Sequence, residues 1–393
     1  MRETLGEQFL EMPPSGPVFF GPGEAARTGK LVRKIGASRA FVVCDPGIVE
    51  FGLLAPILES LEEAGLDIEI FDRVTPNPAT PDIEVGSEAL REHGLADTVV
   101  VAVGGGSSLD SAKGIALHAA NPGPVESLNF TVDQENPGLP VIAVPTTAGT
   151  GSETNYFGVI TDPVNERKFY IGHPSVRPRA SVLDPLLTLG LPPGATAATG
   201  MDALVHALEA LMSRSANPYA DGVSLQVVRM VSRWLPVVLA DGANLEGRSQ
   251  MLLASHMAGR AFSSGTGLGL CHGLAHSISA RTHAAHGVAL TVVLPYVLKF
   301  NLPASLEKLT LVAGSLGVSN SAGGEEDALS AIAAIEELAE SSMEERTLTD
   351  LGVTEHMIPG LVQDIIRDPV LGNTPRMPDE SEIQEILVAA LST

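Results

Sequence analysis

Short apolar runs alternate with segments of helical spacing along the first half of the chain. The run Thr98–Val103 (TVVVAV) is apolar at nearly every position, which is typical of a strand buried on both faces of a parallel sheet. Strands that alternate with helices predict a doubly wound α/β domain. In chain order the pattern predicts a strand at Arg39–Cys44, a turn at Asp45–Gly47, a helix at Leu53–Gly65, a strand at Asp67–Phe71, a helix at Asp82–His93, and strands at Thr98–Val103 and Pro140–Val144.

The pattern changes near residue 190, where Leu191–Gly194 (LPPG) indicates a boundary. Beyond it helical spacing dominates, although Ala289–Leu294 is compatible with strand or helix. We therefore predict a Rossmann-like, dinucleotide-binding α/β domain over residues 1–190 and an all-α domain over residues 191–393. The predicted helices of the second domain are Ala203–Met212, Ala220–Leu239, Gly247–Phe262, Ala328–Glu340, Ile358–Ile366 and Glu382–Leu391, with a polar loop at Ser319–Glu326.

Composition narrows the possible partners. The 393 residues include 24 Lys or Arg against 47 Asp or Glu, which gives a formal net charge of −23. A surface this acidic repels polyanions, so neither nucleic acid nor an anionic membrane is expected as a partner. Hydrophobic residues form 44% of the chain, which is enough for a sizeable core.

Cysteine content and the N-terminal segment bear on the compartment. The two cysteines, Cys44 and Cys271, are too few for a disulfide framework or a Cys-rich zinc site. Residues 1–16 contain acidic side chains and lack the apolar stretch of a signal peptide. Apolar runs such as Thr98–Val103 are too short to cross a bilayer. We expect a soluble, cytoplasmic protein.

A glycine-rich turn follows the buried strand. Gly104, Gly105 and Gly106 precede Ser107, a residue suited to the start of a helix. Glycines allow the backbone to approach a ligand closely, and the free N–H groups at a helix start favour an anion. The turn therefore predicts phosphate binding, although a tight turn of this shape can also bind nothing.

A second polar loop follows the next predicted strand, at residues 145–153 (PTTAGTGSE). Two such loops at consecutive strand ends favour a nucleotide site over ordinary connections. Asp45 ends the first strand of the unit, where a carboxylate can accept both ribose hydroxyls and would repel a 2′-phosphate. The same Asp-Pro-Gly letters also describe a plain turn.

Histidines and carboxylates concentrate in the second half. Asp202 and His206 are four residues apart, which places them on one face of a helix, and His272 and His276 repeat that spacing. His283 and His286 follow shortly afterwards. One carboxylate with several neutral imidazoles suits Fe²⁺ or Zn²⁺. Spacing alone does not decide which of the four C-terminal histidines would bind metal; we expect His256 to be structural.

Together these segments resemble the iron-containing (group III) alcohol dehydrogenase family over nearly the whole chain. The resemblance rests on the glycine turn with Asp110 and Lys113, the loop at residues 145–153, the segment Asp202–His206 and the segment His272–Gly287. It implies a metal-dependent oxidoreductase that transfers hydride between NAD(H) and a small alcohol or aldehyde. The family also implies a homo-oligomer, a dimer or larger.

The resemblance assigns roles residue by residue. It implies metal ligation by Asp202, His206, His272 and His286, and it places His276 near the nicotinamide as a proton relay. Asp45 matches the acidic residue that favours NAD(H) over NADP(H). Further cofactor contacts are implied at Asn77, at Gly105, Gly106, Ser107 and Asp110 of the pyrophosphate loop, at Thr146, Thr147 and Thr150 near the nicotinamide, and at Lys168 near the ribose.

The chain departs from the family pattern at two places. Ala285, where the family often has Pro, precedes His286, and the run Ser263–Gly267 before His272 is longer than usual. That run is expected to flank a substrate pocket near Phe157, Phe262 and His276. The departure therefore leaves the identity of the substrate open, but it does not change the expected reaction.

Several related functions stay open at this point. The same architecture resembles glycerol dehydrogenases and dehydroquinate synthases, and a synthase would give no net NADH. A specialised aldehyde reductase, for example of a phosphonate-bearing aldehyde, and an enzyme that keeps its NAD bound are further alternatives. A non-catalytic protein of the same fold would be marked by a broken ligand set or glycine turn, and neither is broken here.

Overall fold

The computed structural model describes residues 14–165, 167–320 and 323–391. Most of the segment that bears on a signal peptide, residues 1–13, lies outside this description. The strands are β1 (Val18–Phe20), β2 (Arg39–Val43), β3 (Asp67–Phe71), β4 (Thr98–Gly104), β5 (Val141–Pro145), β6 (Phe157–Asp162), β7 (Arg167–Gly172) and β8 (Ala180–Leu183). The helices are α1 (Thr28–Ile35), α2 (Pro46–Glu50), α3 (Ala55–Glu63), α4 (Thr80–His93), α5 (Gly106–Ala120), α6 (Pro193–Met212), α7 (Pro218–Ala240), α8 (Leu245–Ala261), α9 (Leu270–Thr282), α10 (His286–Leu316), α11 (Gly324–Ser342), α12 (Ile358–Ile365) and α13 (Glu380–Leu391).

Within the described residues, six strands form one parallel sheet in the order β1-β8-β5-β4-β2-β3. The order reverses between β2 and β4, because β3 lies to one side of β2 while β4, β5 and β8 follow on the other. Ligands of open α/β sheets bind outside the carboxyl ends of the strands at such a reversal. Both Asp45 and the glycine turn lie at this point, since they follow β2 and β4 directly.

Helices cover both faces of this sheet, which confirms the predicted doubly wound architecture. All seven residues of β4 are buried. Its side chains alternate between two cores: Val100 and Ala102 pack with residues of α4 and α5, whereas Val101 and Val103 pack with residues of α1 and α3. Burial on both faces explains why β4 has a continuous apolar run instead of an alternating one.

Every regular element described beyond residue 190 is helical, which confirms the all-α second half. The apolar segment Ala289–Leu294 belongs to the long helix α10. Helix α6 begins at Pro193, ten residues before the predicted start, because proline is accommodated in the first turn of a helix. The domain boundary between residues 190 and 191 stays a prediction.

One local prediction was wrong, and one element was missed. Asp45 does not begin a plain turn but caps helix α2, where its carboxylate accepts the N–H of Ile48. The antiparallel hairpin of β6 and β7 was not predicted at all. This hairpin leaves the main sheet and packs against α5 and α9, so it connects the two halves of the molecule.

By length and composition, helices α7 and α10 could cross a bilayer. The short continuous apolar runs considered in the sequence did not predict this. Both contribute side chains to the large core of the helical half, for example Val227 and Leu235 from α7 and Leu290 and Val293 from α10. Central helices of a packed bundle share this composition with membrane spans.

Candidate active site

A cavity of about 190 Å³ lies between the carboxyl edge of the sheet and the helical half. Both halves contribute to its wall, since residues from α5 and the second polar loop face residues from α6, α9 and α10. Phe157 of β6 and Phe262, which follows α8, also line it. Of the residues singled out from the sequence, those that line the cavity are Asn77, Gly106, Ser107, Asp110, Thr150, Lys168, Asp202, His206, His272, His276 and His286.

Four other predicted cofactor residues, Asp45, Gly105, Thr146 and Thr147, lie beside the cavity at the same sheet edge. Asp45 accepts a hydrogen bond of 3.2 Å from the Ser108 hydroxyl of α5. Thr146 is buried, and its N–H donates to the Gly104 carbonyl over 3.0 Å. A Cβ atom on Gly105 would lie 3.2 Å from Thr147 Cγ2, so the two polar loops are in contact.

Glycine is required where these loops meet. Gly104 has φ 141°, and a Cβ atom there would lie 2.5 Å from Ser108 Oγ. A Cβ atom on Gly106 would lie 2.6 Å from Thr150 Cγ2. The absence of side chains lets the first turn of α5, with its free N–H groups, face the cavity.

Asp110 and Lys113 hold α5 in place. The Asp110 carboxylate accepts hydrogen bonds from the Ser152 hydroxyl and from the N–H of Val159. Lys113 is buried, and its Nζ donates to Ser152 Oγ at 2.6 Å and to Asn155 Oδ1 at 3.0 Å. Burial lowers the pKa of Lys113, and Asp110 opposes that shift. Asp110 is therefore occupied by protein partners instead of pointing freely at a ligand.

Lys168 comes from the hairpin and supplies a positive charge to the cavity. Its Nζ donates to Asn77 Oδ1 over 2.8 Å, so two residues that are 91 positions apart meet here. Asn77 has φ 52°, a left-handed conformation that asparagine tolerates better than most residues. Burial lowers the pKa of Lys168 to about 8, and the Asp110 charge opposes the shift.

The helical half brings Asp202, His206 and His272 together, with one ligand atom of each within 4.8 Å of the others. All three side chains are buried. His206 Nδ1 lies 3.2 Å from the Gly149 carbonyl oxygen, to which it can donate. Asp202 Oδ1, His272 Nε2 and His286 Nδ1 are buried and have no hydrogen-bond partner among the described residues. Asp202 Oδ1 faces His272 Nε2 at 3.6 Å and His206 Nδ1 at 3.5 Å without forming a hydrogen bond to either. A cation between these three residues would satisfy Asp202 Oδ1 and His272 Nε2, whose burial without a hydrogen bond is costly.

His286 begins α10 and lies next to this group, since its ring centroid is 5.4 Å from that of His272. His283 is exposed at the end of α9, outside the cluster. His256 lies elsewhere, with Nδ1 2.9 Å from Glu153 Oε1 in a buried pair that connects α8 to the second polar loop. The structure thus distinguishes the histidines that spacing alone left equivalent.

Glu209 was missed from the sequence. It is buried on α6, and it accepts the N–H groups of Gly269 and Cys271 and the Nδ1–H of His272. A carboxylate behind a ligating imidazole fixes the ring and directs its other nitrogen to the metal. The signal was present, because Glu209 follows His206 by three residues on the same helix face.

Burial and the carboxylates set the charge states of the imidazoles. Burial lowers the pKa of His206 to about 4, although Asp202 opposes the shift. Burial also lowers the pKa of His286. For His272 burial acts downward, but Glu209 and Asp202 together raise its pKa to about 9. His206 and His286 are therefore neutral, as metal ligation requires. Without a metal, His272 carries a proton between the carboxylates of Asp202 and Glu209, and it would release that proton when a metal binds.

His276 lies between the cavity and a second group of buried partners. Its Nδ1 donates to Asp368 Oδ2 over 2.9 Å and lies 3.1 Å from the Tyr170 hydroxyl. Tyr170 in turn donates to Asp368 Oδ1 at 3.1 Å. The ring stacks on His286 at a centroid distance of 5.2 Å. Neither Tyr170 nor Asp368 was predicted, and they approach His276 from the hairpin and from the segment after α12.

Comparison with known proteins gives consistent matches. The model of the iron-containing alcohol dehydrogenase family matches residues 15–185, and the model of the C-terminal part of the Fe-containing alcohol dehydrogenase family matches residues 196–391. The chain is 34% identical to the NAD-dependent methanol dehydrogenase of Bacillus methanolicus, over 97% of this chain and 99% of that protein. It is 38% identical to the 1,3-propanediol dehydrogenase of Citrobacter freundii, over 94% and 95%. The crystal structure of a 1,3-propanediol oxidoreductase superimposes with a TM-score of 0.92 at 36% identity, covering 98% of this chain and 100% of that one.

Proposed function

The chain belongs to the iron-containing alcohol dehydrogenase family, and from this we propose that it interconverts a small alcohol and its aldehyde with NAD(H) and a ferrous ion. It is an oxidoreductase of the alcohol dehydrogenase type. In the oxidation direction one hydride moves from the alcohol carbon to the nicotinamide and the hydroxyl proton is released, so an alcohol and NAD⁺ give an aldehyde, NADH and a proton.

The observation that carries the proposal is the buried group of Asp202, His206 and His272, whose ligand atoms lie within 4.8 Å of one another. This group and His286, whose Nδ1 is buried without a hydrogen bond, line the cavity together with the glycine turn. Three imidazoles and one carboxylate suit Fe²⁺, and Zn²⁺ is also compatible with them. When bound, the metal polarises the substrate oxygen and the nicotinamide accepts the hydride.

The N-terminal half would hold the dinucleotide. The first turn of α5 would receive the pyrophosphate, since Gly106 and Ser107 present backbone N–H groups at the cavity. Thr150 lies between this turn and the metal ligands, as a residue near the nicotinamide would. Asp45 lies at the tip of β2, where its carboxylate favours NAD(H) and disfavours the 2′-phosphate of NADP(H).

Lys168 and Asn77 would contact the ribose side of the cofactor. Their side chains are already hydrogen-bonded to each other at 2.8 Å, so the amine is held in one place before any ligand arrives. The positive charge of Lys168 also opposes the excess of acidic groups in the rest of the chain.

His276 would accept the proton that the substrate hydroxyl releases. Asp368 accepts from Nδ1, which leaves Nε2 as the nitrogen available to the cavity. Tyr170 and Asp368 connect this histidine to a second cavity of about 340 Å³ on its far side. A proton taken up at Nε2 therefore has a polar route away from the apolar part of the site.

Compartment and assembly follow from composition and family. We infer a cytoplasmic protein, because the chain has an excess of acidic residues and two free buried cysteines. Assembly into a dimer or larger homo-oligomer is proposed on the family resemblance, and sedimentation of the purified protein would decide it.

Metal removal tests the function. The enzyme is stripped with a chelator and reloaded with Fe²⁺ or Zn²⁺, and metal content and NADH formation are measured on the same sample across several primary alcohols. Activity that disappears with the metal and returns with it supports the proposal. If metal binds fully but no alcohol or aldehyde exchanges hydride with NAD(H), the proposed reaction is wrong, and a synthase-type reaction without net NADH replaces it.

A further inference from the structure

The second polar loop lies between the two halves of the molecule and contacts both of them. A Cβ atom on Gly149 would lie 2.6 Å from the Thr199 carbonyl oxygen of α6, in the helical half. Thr150 instead contacts α5 of the N-terminal half, because a Cβ atom on Gly106 would lie 2.6 Å from Thr150 Cγ2. Neighbouring residues of the loop therefore pack on opposite halves.

This alternation continues to the end of the loop. A Cβ atom on Gly151 would lie 2.6 Å from Gly259 Cα, so the loop and α8 touch through their backbones. Ser152 faces α5 again, where its hydroxyl donates to the Asp110 carboxylate and accepts from Lys113 Nζ. The loop is thus packed between α5, which begins at the proposed pyrophosphate turn, and α8 of the helical half.

Glu153 joins the two halves at a single residue. Its backbone carbonyl accepts from Ser181 Oγ of β8 over 3.1 Å, and its side-chain Oε1 accepts from His256 Nδ1 of α8 over 2.9 Å. Glu153 is 5% exposed and His256 is 8% exposed. A hydrogen bond to an acidic side chain is stronger in such a buried place than in water, and it has a defined direction. The pair therefore fixes the position of the loop on α8.

The pair lies outside the active-site cavity but close to its lining in the chain. Thr150, three residues before Glu153, lines the cavity from the N-terminal half, and Phe262, six residues after His256, lines it from the helical half. The Phe262 ring packs on His206 with a centroid distance of 4.8 Å. A displacement of the loop along α8 would therefore move the proposed nicotinamide contact relative to the metal ligands.

The proposed hydride transfer depends on the distance between the two halves. The metal ligands that would hold the alcohol belong to α6, α9 and α10, whereas the nicotinamide would contact the second polar loop. Reacting atoms must approach to about 3–3.5 Å, and a displacement of about 1 Å caused by a remote change can lower the rate about 100-fold. A contact that joins the two halves can thus control the rate without touching the reacting atoms.

We propose that Glu153 and His256 are positioning residues, whose hydrogen bond holds the second polar loop, and with it the nicotinamide, at the distance from the metal ligands that hydride transfer requires. The inference rests on the proposed function, because it assumes that the nicotinamide contacts this loop. It extends that function by giving a role in the reaction rate to two residues that do not line the active-site cavity.

Substitution of the histidine tests the role. His256→Leu removes the hydrogen bond and keeps an apolar side chain of moderate size in the buried position. Enzyme loaded with Fe²⁺ and NAD⁺ is mixed with the most reactive primary alcohol in a stopped-flow instrument, and NADH formation in the first turnover is recorded. We expect the hydride-transfer rate to fall about 10- to 100-fold, with metal content and NADH affinity unchanged. An unchanged rate would overturn the inference.

His118→Leu is the matched control. His118 is 5% exposed, and its Nδ1 forms a buried hydrogen bond of 2.6 Å with Ser87 Oγ. This pair joins α4 to α5 inside the N-terminal half, so its loss should lower the melting temperature without slowing hydride transfer. An equal loss of rate in His118→Leu would attribute the effect to destabilisation and contradict the positioning role.

Two further variants separate positioning from stability. His256→Leu leaves the Glu153 carboxylate buried without its partner, which is destabilising, whereas the double variant Glu153→Met with His256→Leu removes both polar groups. The double variant should regain the melting temperature but not the rate. Glu153→Gln keeps an oxygen that can accept from His256, so its rate should lie closer to that of the unchanged enzyme than to that of His256→Leu. Recovery of the rate in the double variant would refute the role of the hydrogen bond.

The fluorescence of bound NADH separates this inference from the proposed function, because it needs no hydride transfer. Enzyme loaded with Zn²⁺ and NADH should show one dominant lifetime of the nicotinamide emission. His256→Leu should broaden the lifetime distribution, and His118→Leu should not. If every alcohol is inert but only His256→Leu broadens the distribution, the proposed reaction is wrong and the positioning role stands. If alcohols react and His256→Leu changes neither rate nor lifetime, the positioning role is wrong and the reaction stands.

Discussion

The two walls of the active site are built by different means. The N-terminal wall uses the backbone and residues with small side chains: Gly104 and Gly106 leave space, and Ser107 and Thr150 offer short polar groups. The helical wall uses buried ionisable side chains, whose charge is fixed by partners such as Glu209. One wall therefore depends on shape and the other on charge.

This difference matches what each wall is proposed to hold. A dinucleotide is large and brings its own charge, so the protein needs mainly a close approach and N–H groups. A metal ion is small and concentrated in charge, so the protein must supply buried anions and neutral imidazoles in a fixed arrangement. Substitutions in the helical wall should therefore reduce metal binding, and substitutions in the N-terminal wall should reduce NADH binding.

The largest effect is expected from Asp202→Asn, which removes the only carboxylate among the proposed ligands. Metal polarisation of the substrate oxygen supplies several kcal/mol, so kcat/KM should fall roughly a thousandfold. Metal content, measured by atomic emission, should fall in parallel, while NADH affinity measured by fluorescence stays near that of the unchanged enzyme. Loss of NADH binding to the same extent would show that the two walls are not separable.

The corresponding substitution in the N-terminal wall is Gly106→Ala. Its Cβ atom would lie 2.6 Å from Thr150 Cγ2, and such overpacking costs about 1–3 kcal/mol. NADH affinity should fall roughly 10- to 100-fold with metal content unchanged. Gly314→Ala on α10 is the matched control, because its new methyl group meets no atom within 4 Å. Metal loss in Gly106→Ala, or weak NADH binding in the control, would refute this separation.

A smaller effect is expected from Glu209→Gln, which keeps the shape of the side chain but removes its charge behind His272. Loss of such a partner typically weakens metal affinity about 10- to 100-fold. Competition with a chelator of known affinity measures the change. Glu246→Gln, an exposed residue at the start of α8, should leave metal affinity unchanged. Full metal affinity in Glu209→Gln would contradict this role, and Glu209 would then only hold the backbone at the start of α9.

The smallest effect concerns Lys168, the one cation among the described residues of the N-terminal half that line the active-site cavity. Because burial lowers the pKa of Lys168 to about 8, its amine loses its charge as the pH rises through that value. The Asp110 carboxylate raises the pKa of Lys168. The imidazoles of His276 and His286 face the Lys168 amine from the helical wall, and the lysine charge lowers the pKa of both. NADH affinity should therefore decline by about tenfold from pH 7 to pH 9.

Lys168→Met isolates that titration. The variant should bind NADH about tenfold more weakly at pH 7 and lose the decline between pH 7 and pH 9. Fluorescence titration at both values measures the change. A decline of the same size in the variant would assign the pH dependence to another group.

Sequence reasoning was sufficient where the signal is local. The seven buried residues of β4, the glycine turn after it and the Asp202–His206 spacing all lie within a few positions of one another. Each has a direct physical meaning, namely burial on two faces, a close backbone approach, and one helix face. The family resemblance then connected these local signals into one site.

The partners of His276 could not be predicted in this way. Asp368 precedes a proline and caps a short helical turn by accepting the N–H of Val370, which is the local meaning of its sequence. Its contact with His276 spans 92 positions, and that of Tyr170 spans 106. Such contacts depend on how the hairpin and the helices pack, and neither spacing nor periodicity encodes that packing.

The order of the strands along the chain has a consequence for synthesis. All six strands of the parallel sheet lie between residues 18 and 183, whereas the first proposed metal ligand is residue 202 and the last is residue 286. A ribosome that adds about 5–20 residues per second thus releases the entire sheet several seconds before His286. The N-terminal half can fold while the rest is still being translated, so the proposed metal would be inserted late, beside a sheet that has already formed.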